Sequence, residues 1–393
     1  MSRRPALRRP ICFHRQFAGL RGSPWHALCL LLALAGVALP AWAQVSQDFE
    51  QEAELSAWKV NAPQGALTLA RQPPEVYHGK GAARLSFNAS YGSYFTLQLS
   101  DLKLTKAASV RFAIRASEST PLRVLLTEKD GAEYDSFVQV PPLAWVEVKI
   151  PLSEFQLAEG SEDKDKRLDP AQISGVTLAD LSNLGGTAGT TYGRKSGPQL
   201  LWLDDFHLDA QEAPGRYRQE RGHTIIRSVV DTAPAAPASS LVPWLALGRA
   251  LLRARRDAPG ARGRSVLQVE YGLTGYQLQG AVGGIAAQPR SDLSEIILRV
   301  GGTSAGLKVR LEEYDGSKYD AAANVTRDQP WQELKLPLKS FQLAKYSSDE
   351  NSRLDPDQVR TLILVIDTED ALLDPTGKGS LLVDDIELRY GKP

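Results

Sequence analysis

The sequence predicts an all-β protein built from two tandem β-sandwich domains behind a signal peptide. Three observations support this prediction: a long internal repeat, short alternating strands between turns, and a basic leader followed by an apolar run. The repeat is the most specific of the three, because three segments return in the same order. They read LRVLLTEKDGAEYDSF, WVEVKIPLSEFQLA and RLDP in the first copy, and LKVRLEEYDGSKYDAA, WQELKLPLKSFQLA and RLDP in the second.

The repeat divides most of the chain into two copies of one fold. Asp130 matches Asp315 and Trp145 matches Trp331, with similar spacing along each copy. Each copy is long enough to be a domain with its own core. We expect a signal peptide over residues 1–43, a first domain over residues 44–213 and a second domain over residues 214–393.

The leader predicts export from the cytoplasm. Six arginines and no acidic residue precede the apolar run Ala27–Pro40. Ala41-Trp42-Ala43 then supplies the small-x-small pattern that signal peptidase recognises. The apolar run is shorter than the roughly 20 residues that a membrane-spanning helix needs. The sequence therefore predicts a periplasmic or secreted protein, cleaved before Gln44, with no membrane span after cleavage.

Composition excludes several classes of function. The chain has equal numbers of basic and acidic side chains, 46 of each, so the mature chain without the leader's arginines is acidic. An acidic chain without a basic domain argues against nucleic acid as a partner. Cys12 and Cys29 both leave with the leader. We therefore expect no disulfide, no thiolate nucleophile and no cysteine-ligated metal in the mature protein.

The first copy shows strands in succession. Ser109–Arg115 and Leu122–Leu126 alternate between apolar and polar residues, as half-buried strands do. Asp130-Gly131 predicts a tight hairpin turn, because this pair tolerates positive φ. Further alternating segments predict a strand at Trp145–Ile150 and a last strand at Leu200–Leu208.

In the second copy one segment is ambiguous by propensity alone. Leu241–Arg256 contains many helix-forming residues, yet Trp244 matches Trp58 and ALLRAR matches the strand-like ALTLAR of the first copy. The repeat therefore predicts strand for this segment. Short strands separated by turn residues, with little helix, indicate a β-sandwich.

Several motifs resemble those of a known family. They are an opening Asp48-Phe49-Glu50 with Trp58 downstream, the W-x-x-v-x-l-P-L-x-x-F segment, the L-D-P turn and the closing l-x-v-D-D-i-x-L strand. This pattern resembles the jelly-roll, galactose-binding-like carbohydrate-binding modules, including family-eleven modules, and the related complex I intermediate-associated domain. The resemblance implies two jelly-roll sandwiches that bind carbohydrate without catalysis.

The resemblance also implies structural calcium where the first and last strands meet. Carried onto this chain, it pairs Glu50 with Asp204 and Asp231 with Asp384. In each copy, simple alternation places the aspartate on the same strand face as apolar residues, where a carboxylate needs a partner. These neighbours are Trp202, Phe206 and Leu208 in the first copy, and Leu382, Ile386 and Leu388 in the second. The alternative is an aspartate that accepts hydrogen bonds from backbone amides.

Alternation also predicts polar side chains on the outward faces of the central strands. On this basis the candidate ligand-binding residues are Arg111, Arg123, Arg299, Arg310, Glu312 and Tyr314, and the aromatic residues Tyr94, Tyr134, Tyr276 and Tyr319 are added as candidate platforms for a sugar ring. Arginine hydrogen-bonds both carboxylates and sugar hydroxyls, and basic groups on an acidic chain favour a polysaccharide with carboxylates, such as one containing uronic acids. The alternative is an ordinary solvated sheet face.

Signals for catalysis are weak. The mature chain has His78, His207 and His223, none at matching places in the repeat, and it lacks the common nucleophile, zinc and phosphate motifs. The sequence therefore predicts an exported, non-catalytic protein that binds a polysaccharide or oligosaccharide. The alternative is a structural or assembly protein of the cell envelope that uses the same faces to bind a protein partner.

Overall fold

The protein is nearly all-β, as the sequence predicts, and its sheets form two sandwiches. The computed structural model describes residues 43–90, 92–183, 195–230, 241–256, 258, 264–273, 278–285, 289–303, 305–326, 331–367 and 376–391. Residues 1–42 of the leader therefore lie outside the described residues, as do Asp231 and Tyr276. No helix in the described ranges is both long and apolar enough to cross a bilayer.

The first copy contains twelve described strands, one short helix, α1 (Glu52–Leu55), and a 3-10 turn at Leu152–Glu154. The strands are β1 (Ala43–Gln47), β2 (Trp58–Asn61), β3 (Ala66–Ala70), β4 (Ala82–Ala89), β5 (Thr96–Leu99), β6 (Ser109–Ala116), β7 (Thr120–Glu128), β8 (Glu133–Val140), β9 (Val146–Pro151), β10 (Gln156–Leu157), β11 (Ile173–Asp180) and β12 (Gly197–Asp209). The first sheet has the order β3-β4-β12-β6-β9, with β1 also on β12. The second sheet has the order β10-β8-β7-β11-β5-β2.

The second copy repeats this plan, with 3-10 turns at Leu338–Ser340 and Pro356–Gln358. Its described strands are β13 (Tyr217–Glu220), β14 (His223–Arg227), β15 (Trp244–Leu247), β16 (Leu251–Arg255), β17 (Val266–Gly272), β18 (Leu278–Gly284), β19 (Leu293–Gly302), β20 (Ala305–Glu313), β21 (Lys318–Val325), β22 (Gln332–Pro337), β23 (Gln342–Leu343), β24 (Val359–Asp367) and β25 (Lys378–Tyr390). The third sheet has the order β13-β14-β25-β17-β16, and β19 joins β25 to β22. The fourth sheet has the order β15-β18-β24-β20-β21-β23.

Each sandwich encloses its own core. Leu122, Val124 and Leu126 of β7 point into the first core, and the matching residues of β20 point into the second. Trp58 and Trp244 are also buried in these cores, and the segment around Trp244 is strand, as the repeat predicts. Alternate residues of a strand point to opposite faces, so this placement fixes the outward residues of the same strands.

Strand pairing separates the two copies, although the chain from Ala41 to Pro393 is one compact unit. Every pairing between described strands lies within residues 43–209 or within residues 217–390. The boundary predicted between residues 213 and 214 falls between these groups. That each copy is an independent domain stays a prediction.

A β-bulge in the last strand of each copy corrects one prediction. In β12 the pairing with β6 shifts between Asp204 and His207, and Asp205 has a φ of 50°. The core therefore receives Leu201, Leu203, Phe206 and Leu208, while Trp202 and Asp204 lie on the outward face. The prediction that Asp204 shares a face with Phe206 and Leu208 is wrong, because the extra residue reverses the alternation.

The second copy shows the same feature. Its pairing between β19 and β25 shifts next to Asp384, and the second core receives Leu381, Val383, Ile386 and Leu388. Asp384 thus does not share a face with Ile386 and Leu388.

Candidate functional site

The outward face of the fourth sheet is divided into two unlike halves. Lys308, Arg310 and Glu312 lie along its central strand β20, because the alternate residues of that strand fill the core. On one side of β20 the face is polar and partly exposed. On the other side it is apolar and buried.

The open half consists of Lys308, Arg310, Asp320, Ala322 and Tyr346. The guanidinium of Arg310 donates to both carboxylate oxygens of Asp320, over 2.6 Å from Nε to Oδ1 and 3.0 Å from Nη2 to Oδ2. The ring of Tyr346 lies over this guanidinium, with Cζ 4.9 Å from the ring centroid. Tyr346 remains 60% exposed, so an aromatic surface faces solvent above a fixed ion pair.

The covered half lies on β15, β18 and β24. Its outward residues Leu247, Val282, Ile363 and Val365 form a separate buried apolar cluster. Strand β8 of the first copy contacts both β15 and β18. A hypothetical Cβ at Gly284 would meet the Gln156 side chain of the first copy at 3.4 Å, so the two copies touch here.

Hydrogen bonds join the copies across this contact. Gln139 Oε1 accepts from the amide of Ala246 at 3.0 Å, and Gln156 Nε2 donates to the carbonyl of Arg360 at 3.2 Å. Both glutamine side chains are buried. Buried polar groups need partners, and here the partners belong to the other copy.

Tyr314 also lies at the contact between the copies rather than on an open platform. Lys166 Nζ of the first copy lies 5.9 Å from its ring centroid, and Arg360 Cζ lies 5.7 Å from it. The ring therefore lies within cation–π distance of cations from both copies.

The matching face of the first copy, on the second sheet, is largely closed. Arg123 Nε donates to Asp135 Oδ2 at 2.9 Å, Nη2 lies 2.8 Å from the same oxygen, and Asp135 is buried. Burial raises the pKa of Asp135, while Arg123 and Arg360 act in the opposite direction. Leu125 lies beside this pair and is only 8% exposed.

Tyr134 and Tyr319 do not lie on either ligand face. Both are buried in the cores, and their hydroxyls donate to Asp163 and Asp349. Burial raises the pKa of each hydroxyl. Because their rings pack against core residues, these tyrosines cannot stack on a ligand, and their prediction as ligand-binding residues is wrong.

The remaining predicted ligand residues are spread over different sheets. Arg111 lies on the first sheet and pairs with Asp205 and Asp209, whereas Arg299 lies on the third sheet and pairs with Asp384. Tyr94 is 42% exposed and precedes β5. The structure does not bring these residues to Arg310.

Glu312 lies at the boundary between the two halves of the fourth sheet's face. Its carboxylate lies 3.5 Å from Lys318 Nζ, and burial raises its pKa.

The ion pairs remove the argument for an acidic polysaccharide. Arg111, Arg123, Arg299 and Arg310 each contact at least one aspartate. A guanidinium that is already paired offers little net attraction for a second carboxylate. The outward arginines therefore indicate fixed hydrogen-bonding groups rather than a basic surface.

Glu50 and Asp204 meet on one segment of the first copy. Asp204 Oδ2 accepts from the amides of Tyr77 at 2.9 Å and His78 at 3.0 Å, and Glu50 Oε1 accepts from the amide of Lys80 at 2.7 Å. Burial raises the pKa of Asp204 to about 6. These contacts match the backbone-amide alternative, and calcium at this place stays a prediction.

In the second copy, Asp384 contacts two guanidinium groups, those of Arg264 and Arg299. A calcium ion at Asp384 would thus lie beside two positive charges. A different group among the described residues, Glu313, Asp315 and Asp349, brings carboxylate oxygens within 4.8 Å of one another and could hold a metal ion. Burial raises the pKa of Glu313 to about 7.

Tyr346 is the site residue that the sequence predictions omitted. It follows the FQLA segment of the second copy, and Gly160 stands at the matching place in the first. An aromatic residue present in only one copy is not required by the shared core. That difference between the copies is the signal that could have identified it.

Comparisons with known proteins are limited to structure. No family model and no curated protein matches the chain. A family 11 carbohydrate-binding module from Clostridium thermocellum, in complex with a β-1,3-1,4-mixed-linked tetrasaccharide, is 15% identical and has a TM-score of 0.31. The match covers 42% of this chain and 95% of that one.

Two further solved structures are similar at the same level. The tandem CBM22-1-CBM22-2 domain of Paenibacillus barcinonensis Xyn10C is 13% identical with a TM-score of 0.31, covering 91% of this chain and all of that one. TmCBM61, in complex with β-1,4-galactotriose, is 15% identical with a TM-score of 0.27, covering 39% and 87%. These structures are carbohydrate-binding modules, the class that the sequence motifs resemble. At these scores the similarity carries no argument about the ligand of this chain.

Proposed function

We propose that this chain is an exported, non-catalytic carbohydrate-binding protein whose ligand lies on the open half of the fourth sheet. The observation that supports the proposal is the exposed ring of Tyr346 above the Arg310–Asp320 pair. An exposed aromatic ring offers apolar area at a small cost in side-chain entropy, and the C–H faces of a pyranose pack on such a ring.

The ion pair below the ring supplies the polar half of sugar recognition. Asp320 is partly exposed and presents acceptors for sugar hydroxyls, while Arg310, only 7% exposed, fixes the orientation of that carboxylate. Because the two charges cancel, a neutral glycan suits this site better than a uronic acid.

The ion pairs made by the nearby carboxylates support binding without hydrolysis. Asp320 is paired with Arg310, and Glu312 with Lys318. A glycosidase of the usual kind needs one carboxyl group as proton donor and a second as nucleophile or base. Asp320 and Glu312 are both engaged in ion pairs and do not form such a catalytic pair. Export to the periplasm or the exterior, inferred from the leader, is consistent with a polysaccharide ligand.

The test compares Tyr346→Ala with Leu143→Ala on an array of neutral and acidic glycans. Leu143 is 62% exposed and belongs to the first copy, so its variant controls for loss of an exposed apolar side chain. We expect Tyr346→Ala to weaken binding at least tenfold, which corresponds to about 1.4 kcal/mol. Leu143→Ala should bind as the parent does.

The same array tests the charge argument and the alternative function. Binding to neutral glycans should change little in about 1 M salt, where screening acts over roughly 3 Å. Preference for uronic acids with strong salt dependence would contradict the neutral ligand. No binding to any glycan would contradict the proposal and leave the protein-partner alternative.

A further inference from the structure

We infer that the duplicated chain has a single glycan site, in the second copy, and that the matching face of the first copy serves as a docking surface for the second copy. This inference rests on the proposed function for the nature of the ligand. The division of the fourth sheet into an open and a covered half supports it, as does a residue-by-residue comparison of the two faces.

The two faces can be compared through the pairing of their strands. In the middle of each face, three residues on adjacent strands are paired directly with one another. They are Thr177, Leu125 and Asp135 in the first copy, and Ile363, Arg310 and Asp320 in the second. The aspartate is common to both sets, while the residue beside it differs.

The first copy lacks the aromatic residue of the open half, and its aspartate, Asp135, pairs with Arg123 instead. Leu125 stands where the second copy has Arg310, and Gly160 stands where it has Tyr346. Gly160 has a φ of 78°, a backbone conformation that favours glycine, so the turn of the first copy disfavours an aromatic residue at this place. The exposed aromatic ring is thus specific to the second copy.

In the covered half the second copy has larger apolar residues where the first copy has small or polar ones. Ile363 and Val365 of β24 stand where β11 of the first copy has Thr177 and Ala179. Both are at most 2% exposed, although they point away from the core of their own sandwich. Apolar residues on an outward face are favourable only where another surface excludes water, and β8 of the first copy lies against this half.

Polar contacts fix the docking geometry. Gln139 and Gln156 of the first copy bond to Ala246 and Arg360 of the second. The matching sheet faces of the two copies have therefore diverged in function. The first copy's face holds its neighbour, and one half of the second copy's face is left for a ligand.

The docking surface can be tested by hydrogen exchange on the full-length mature chain. Val365 and Lys308 are direct cross-strand partners on the covered and open halves. Val365→Glu should speed amide exchange in β8 and β15, and Lys308→Glu should not. Equal exchange in the two variants would overturn the docking surface.

A milder variant covers the case in which Val365→Glu does not fold. Gln139→Ala removes the acceptor of the Ala246 amide, so that amide should exchange faster while the cores remain protected. Unchanged exchange at Ala246 would also overturn the inferred contact.

The single site is tested by calorimetric titration with xylotetraose, a mixed-linked glucotetraose and β-1,4-galactotriose. We expect one ligand per chain in the parent and still one in Val365→Glu, because the uncovered first copy lacks the exposed tyrosine. Two ligands per chain in either protein would overturn the inference. Failure of all three sugars to bind contradicts the proposed function, whereas the exchange measurements still decide whether the surface docks.

Discussion

Arg216 Nε lies 3.0 Å from Glu154 Oε2, and this ion pair joins the start of the second copy to the 3-10 turn of the first. The side chains are only 3% and 2% exposed, and the Arg216 amide also donates to Glu154 Oε1 at 2.7 Å. Arg216 Nη2 continues to the carbonyl of Gly284. Two buried charges are tolerated here because each satisfies the other.

Glu154→Ala should therefore destabilise the chain strongly. It leaves the guanidinium buried without its carboxylate, a change that costs about 3–5 kcal/mol in unfolding free energy. Urea unfolding measures the loss. The matched control is Glu220→Ala, which breaks the exposed Arg218–Glu220 pair and should cost less than about 1 kcal/mol. Similar losses in the two variants would show that burial of the Arg216 pair has no special effect.

Asp135 should make stability depend on pH. Burial raises its pKa, whereas Arg123 of β7 and Arg360 of β24 lower it and Glu133 of its own strand raises it further. With a folded pKa above the unfolded one, the folded state binds more protons between the two values. Stability contributed by this group is thus present at low pH and falls as pH rises through the folded pKa.

Asp135→Asn cannot titrate and should flatten that part of the curve. Urea unfolding from about pH 4 to pH 7, where carboxyl groups titrate, compares the parent with the variant. If the unfolding free energies of the parent and the variant change with pH in parallel, Asp135 does not cause the pH dependence.

Asp204→Ala should lower the melting temperature, because Asp204 holds the amides of Tyr77 and His78 on the outward face of the first sheet. Removing the carboxylate leaves two amide donors without their acceptor. The same measurement in excess chelator tests the predicted calcium. Calcium bound by Glu50 and Asp204 predicts a lower melting temperature in chelator for the parent and no chelator effect in the variant. An unchanged parent curve would exclude it.

Gly280→Ala should be far more damaging than Gly284→Ala on the same strand. A Cβ at Gly280 would lie 1.8 Å from the carbonyl oxygen of Leu364, whereas at Gly284 its nearest contact is a side-chain nitrogen at 3.4 Å. A backbone atom on the neighbouring strand cannot move aside easily, so we expect a loss of about 3 kcal/mol or more at Gly280. Thermal or urea unfolding of both variants provides the comparison, and equal stability would contradict it.

Much of the fold could be predicted because its signals are local or repeated. The alternation of Leu122, Val124 and Leu126 needs no knowledge of the partner strand, and the repeat overrides helix propensity around Trp244. The bulge at Asp205 could not be predicted in this way. The bulge adds one residue to the strand, and no residue type in the sequence marks its position. Strict alternation of faces along the strand therefore assigns Asp204 to the wrong face.

The functional face was harder to predict because burial of an outward face depends on which surfaces meet. Arg123 and Arg310 both alternate with core residues, yet the Arg123 side chain is 27% exposed and the Arg310 side chain, beneath Tyr346, only 8%. One signal was present in the sequence. Leu362–Ile366 is continuously apolar, as is typical of a strand buried on both sides, while the matching strand of the first copy alternates.

The hydrogen bond from the Ala246 amide to Gln139 also covers part of a sheet edge. Strand β15 is the edge of its sheet, and this amide points away from β18, where a strand from another molecule could pair with it. Unprotected edges of this kind promote aggregation between chains. A processing event that removed the first copy would expose this edge together with Leu247 and Val282. The first copy thus protects the β15 edge of the second copy from pairing with other molecules. We expect the polypeptide to resist self-association only while both copies remain on one chain.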